Sequence, residues 1–130
     1  MIKEKTKAFE FQGRRWQVEK ATALDGANII RKLVSSGAKG AQDFLSKLSN
    51  DEFQAIQNIL LSKVFEVQNI NGQETTLPII TPSGALSNSI SEDATLVYML
   101  TVISLSFDMQ SFFDESALKE FTETMSIFNA

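Results

Sequence analysis

The chain has 130 residues, 43% of them hydrophobic and ten of them phenylalanine, which suits one compact domain with a real core rather than a disordered chain. It has no histidine and no cysteine, which removes thiol nucleophiles, disulfide frameworks, histidine general bases and the usual zinc ligand sets. The formal charge of −4 argues against non-specific binding to nucleic acid.

Residues 6–20 read as a β-hairpin. Phe9 and Phe11 alternate with polar neighbours, Gln12-Gly13 supplies a two-residue turn, and Trp16 and Val18 alternate after it. That register sets Phe9 opposite Trp16 and Phe11 beside Arg14 on one face, with Glu10 meeting Arg15 on the other as an opposite-charge pair. The apolar face needs a cover.

Residues 22–65 read as helices. Thr22 caps the first, Asp25 sits in its first turn, Ala23, Ala27, Ile30, Leu33 and Val34 keep helical spacing, and Gly37 stops it. A short amphipathic segment after Gly40 carries Phe44, Leu45 and Leu48. Ser49 and Glu52 make a capping box for a third helix, whose expected face is Phe53, Ile56, Leu60 and Val64.

Residues 66–91 read as a hairpin and mobile loop. Asn71-Gly72 is a reverse-turn signal flanked by Val67, Ile70 and Leu77, and Pro78 bars the second arm from the middle of a sheet. The stretch 81–91, with Pro82 and Gly84, reads as a long loop.

Residues 92–130 read as apolar C-terminal helices. Ser91 is the expected cap of the first, with Glu92 and Asp93 in its first turn, and Leu96, Leu100, Ile103 and Phe107 form one face. Val97 and Met99 fall on other sides, so this helix is either central to the domain or partly open to a partner. Its apolar run of about 14 residues is shorter than the roughly 20 that cross a membrane. Asp114 can cap a last helix carrying Leu118, Phe121, Met125 and Phe128. The expected fold is therefore a single mostly helical α+β domain over residues 1–130: an N-terminal β-hairpin followed by about five helices, with a central hairpin/loop excursion.

Chemistry would have to come from carboxylates such as Glu92 and Asp93 or Asp114 and Glu115, and adjacent acids after a helix cap are better explained by the helix dipole. No calcium-loop spacing and no phosphate-binding loop occurs. The basic residues of the first half lack interleaved aromatics beyond Trp16, so a nucleic-acid platform is not expected. No enzyme activity, catalytic residue, metal or cofactor is expected. Residues 1–7 are charged with no apolar signal core behind them, so a cytoplasmic location is expected.

Charge is unevenly spread. Residues 1–50 hold ten Lys/Arg against five acids, and residues 51–130 hold Lys63 and Lys119 against eleven acids. Either the halves attract across one molecule's own surface, or copies associate head to tail, in which case the multimer weakens with salt. The apolar surplus near the C-terminus offers Phe107, Met109, Phe112, Phe113, Met125 and Phe128 as candidate partner contacts, since Phe and Met surfaces accept varied apolar segments.

The hairpin Phe9-Glu10-Phe11-Gln12-Gly13-Arg14-Arg15-Trp16-Gln17-Val18, the helical middle, the loop with Pro78 and Pro82, and the apolar helix ending in Ser106-Phe107-Asp108-Met109-Gln110-Ser111-Phe112-Phe113 together resemble the tail assembly chaperones of long-tailed bacteriophages and prophages. The resemblance implies a non-enzymatic protein that binds the long, largely helical tape-measure protein and keeps it soluble until the tail tube polymerises around it. It also implies a longer frameshifted form of the same chain, residence in the host cytoplasm and absence from the mature virion. Other readings are a structural phage tail or head–tail joining protein, and a small non-phage adaptor domain.

Overall fold

The computed structural model describes residues 6–88 and 90–109. The order is β1 (Thr6–Phe11), β2 (Arg14–Glu19), α1 (Ala23–Ser36), α2 (Ala41–Ser46), α3 (Asn50–Leu61), β3 (Val64–Ile70), β4 (Gln73–Pro78) and α4 (Ala94–Met109). All strand pairs are antiparallel, in the order β1-β2-β3-β4.

The first hairpin has the expected register, with Phe9 opposite Trp16, Glu10 opposite Arg15 and Phe11 opposite Arg14. Its turn residues Gln12 and Gly13 lie at φ 56° and 71°, and Asn71 and Gly72 repeat the arrangement at 53° and 82°. Two successive positive φ values give the turn whose twist matches paired strands. Pro78 ends the edge strand β4, where its missing N–H costs no ladder bond.

The expectation of a mostly helical chain with an N-terminal hairpin, about five helices and a central hairpin/loop excursion is corrected here. The described residues hold four helices, and the two hairpins are halves of one four-stranded antiparallel sheet, joined where Trp16 pairs with Glu66 and Val18 with Val64. Each hairpin is written locally by its turn, whereas the β2–β3 pairing spans the three helices between them and leaves no local signal. Val64 belongs to β3 and not to the third helix, because Val64, Glu66 and their neighbours alternate in burial with a period of two. The last expected helix, after Asp114, lies outside the described residues.

Two caps are as expected: the Thr22 hydroxyl accepts from the Asp25 amide, and Ser49 and Glu52 form a reciprocal box. The cap of α4 is Asp93 rather than Ser91, since Asp93 Oδ1 accepts the Leu96 amide at 3.0 Å. The stretch expected to be a mobile loop is tied down by a bridge between Ile80 and Leu86, by the Ser87 amide bonded to the Ile79 carbonyl, and by burial of Ile79 and Ile90.

The helix α4 decides the architecture. Leu96, Leu100, Ile103 and Phe107 pack with Phe9, Trp16, Val18, Val64 and Ile79 on the inner face of the sheet. Its opposite side, Val102, Leu105 and Met109, packs with Ile29, Leu33, Phe44, Leu45, Ile56 and Leu60 from α1, α2 and α3. The layers are therefore sheet, α4, then the other three helices. Replacing Leu100 by Ala should cost about 3 kcal/mol, the usual penalty for a cavity at a fully buried leucine. Urea denaturation measures it, and a loss under about 1 kcal/mol would contradict this packing.

Candidate functional site

Of the six contacts expected from sequence, Phe107 and Met109 are each 1% exposed. Phe107 faces the sheet and Met109 faces the other helices, so in this arrangement they fill the interior on opposite sides of α4. Phe112, Phe113, Met125 and Phe128 lie outside the described residues.

What is open lies elsewhere. Strand alternation sends Phe9, Trp16, Val18, Val64 and Glu66 inward and Ala8, Glu10, Arg15, Gln17, Phe65, Val67, Glu74 and Thr76 to the outer face. Among the described residues, no outer-face residue belongs to either core cluster. Ala8, Glu10, Arg15 and Glu74 are exposed there, with Phe65 and Val67 half-buried. A shallow groove of about 320 Å³ runs across this face, lined by Ala8, Phe9, Glu10, Arg15, Trp16, Val67 and Glu74. Arg15 sits opposite Glu10 in the ladder, yet its ion pair at 2.8 Å is with Glu74, two strands away on β4. A second open surface is the outward side of α1, where Leu24 is 86% and Val34 71% exposed. Both lie, with Ala27 and Arg31, within an arc of about 80° on the helix. The expected stripe of α1 was thus rotated: Ile29 and Leu33 are buried, whereas Ala27 and Val34 face out.

The charge asymmetry is partly spent within the molecule. Three of the four ion pairs among the described residues, Arg14–Glu66, Arg15–Glu74 and Lys32–Glu52, join a base from the first half of the chain to an acid from the second. The Arg14–Glu66 pair is bidentate at 2.8 and 2.7 Å, and its guanidinium lies 4.7 Å from the Trp16 ring centre. Glu52 is held down at about 2, first by the Ser49 amide that donates to it and then by Lys32.

One titratable group is strongly perturbed in the other direction. Asp108 is 8% exposed; its Oδ1 accepts the Ala21 amide at 2.7 Å, and its Oδ2 has no hydrogen-bond partner. Burial pushes its carboxyl up to about 6, opposed by the Ala21 amide and by the charges of Lys20 and Lys63. Asp108 escapes a sequence reading because it follows an apolar run that reads as core, and the signal is a lone acid set between Phe107 and Met109. It fastens the β2–α1 connection to the end of α4. Among the described residues no group of three or more Asp, Glu, His or Cys could hold a metal ion, and no helix is long and apolar enough to cross a membrane.

No protein family, no curated protein and no solved structure matches the chain.

Because the folded carboxyl of Asp108 binds its proton more tightly than an ordinary one at 3.8, the stability tied to it is full below about pH 4 and declines as pH rises to about 6. Asp108→Asn keeps an acceptor for the Ala21 amide and cannot ionise. Relative to the parent, the variant should gain about 2 to 3 kcal/mol between pH 4 and pH 7. Denaturation at the two pH values checks this, and a pH-independent difference would contradict it.

Proposed function

We propose that the chain is a tail assembly chaperone of the long-tailed phage type, which binds the tape-measure protein and keeps it soluble while the tail tube assembles. The order of hairpin, helical middle, loop and apolar helix supports the reading. The observation that carries it is apolar surface left open on a domain whose own interior is closed: Leu24 and Val34 on α1, and Ala8, Phe65 and Val67 on the sheet. A helical client with apolar stripes needs such surfaces covered before it packs. Phe112, Phe113, Met125 and Phe128 remain candidate client contacts.

The protein acts in the host cytoplasm and is absent from the mature virion. A longer frameshifted form of the chain takes part, and copies associate head to tail through the apolar and basic side of α1, giving avidity along an extended client.

Co-expression with the phage's tape-measure protein should move that client from the insoluble to the soluble fraction, and purified virions should contain none of this chain. A fixed copy number in virions would make it a structural tail or head–tail joining protein instead. Capture of one folded host protein at fixed stoichiometry, with the client still insoluble, would make it an adaptor.

A further inference from the structure

We propose that the outer face of the sheet is a docking surface for a basic amphipathic helix of a partner protein, its apolar stripe resting on Ala8, Phe65 and Val67 and its Lys or Arg side chains meeting Glu10 and Glu74. The helical form of the partner rests on the chaperone reading; the surface and its sign do not.

Three observations lead here. The inner face of the sheet is closed by α4, whereas among the described residues no outer-face residue takes part in either core cluster. A sheet face is ordinarily either packed or polar, and this one carries Ala8 on β1 and Phe65 and Val67 on β3, flanking Arg15 and Gln17 of β2. At about 4.8 Å per strand spacing, the four strands give a platform wide enough for a helix of about 10 Å diameter.

The charge of the face selects the occupant. The outward positions of the strands carry Glu10, Glu19 and Glu74 against Arg15 as the single base, so the face keeps net negative charge even with Arg15 paired to Glu74 at 2.8 Å. An approaching helix therefore meets net negative charge around an apolar floor, and cations at its flanks replace lost hydration. The chain's own residues 110–130 have the wrong sign, with Asp114, Glu115, Glu120 and Glu123 against Lys119. The remaining occupant from within the system is α1 of a second copy, which offers Arg31 beside Leu24, Ala27 and Val34.

The probe is a synthetic amphipathic helix of about 20 residues with a leucine stripe and lysine flanks, titrated into the full-length protein beside a counterpart with glutamate flanks. Calorimetry reads affinity, and methyl NMR reads location. The lysine peptide should bind at least tenfold more tightly than the glutamate peptide, weaken with salt, and shift the methyl signals of Ala8 and Val67. Glu10→Lys with Glu74→Lys should weaken it at least tenfold. Ala8→Lys, at an exposed edge-strand position, should do the same without touching the Arg15 ion pair, and circular dichroism confirms that each variant folds. Equal affinity for the two peptides, shifts confined to Leu24 and Val34, contacts from residues 110–130 to Val67 in the uncomplexed protein, or self-association that occupies this face would each overturn the proposal. If the tape-measure protein is kept soluble equally well by the parent and by Ala8→Lys, the surface is wrong while the chaperone reading stands. If the lysine peptide binds as described but the tape-measure protein stays insoluble, the chaperone reading fails while the surface stands.

Discussion

The structure depends on one helix being wanted on two sides. α4 supplies Leu96, Leu100, Ile103 and Phe107 to the sheet and Val102, Leu105 and Met109 to the other helices, so neither hydrophobic cluster closes without it. At about 25 cal/mol per Å² of apolar surface removed from water, a helix buried around most of its girth outweighs any single contact elsewhere in the domain. Two of its fully buried polar residues have partners. Ser104 donates to the Leu60 carbonyl at 3.1 Å, and the Thr101 hydroxyl donates to Val97 while accepting from Gln57. Asp108 is satisfied at one oxygen and not at the other.

The two-sided demand on α4 decides where function can lie. An apolar helix could have been a partner surface, but here its apolar residues are consumed by the interior, Phe107 and Met109 included. Among the described residues, surface for a partner then lies on the elements α4 leaves uncovered. The inner side of the sheet is locked by Trp16, whose indole N–H donates to the Phe11 carbonyl at 3.2 Å, and by the Arg14–Glu66 pair beside it. Every side chain that alternation turns away from this inner side goes to the open face, where apolar and acidic residues stand together.

The sequence showed what is local. The first hairpin was legible down to its register because Gln12-Gly13 fixes the turn and Phe9, Trp16 and Val18 fix the phase. The sheet-facing side of α4 was legible from its spacing, as were the Thr22 cap and the Ser49–Glu52 box. Less was legible where two patterns compete. Val64 sits four residues after Leu60 and so extends a helical stripe on paper, but its β-branched side chain pairs opposite Val18 in a strand. On α1 the chain offers apolar residues on several sides, and only packing against α3 and α4 decides that Ile29 and Leu33 go in while Leu24 and Val34 stay out. The union of the two hairpins, and with it the open face, is a long-range fact that no window of residues contains.

The most direct measurement is native-state hydrogen exchange of α4 in the protein alone and with the proposed client, the tape-measure protein, co-expressed. If α4 is the shared interior, its amides are among the slowest to exchange, open only with the whole domain, and are unchanged by the client. Rapid exchange in the protein alone, slowed when the client binds, would make α4 the binding element and contradict the architecture from which the open face follows.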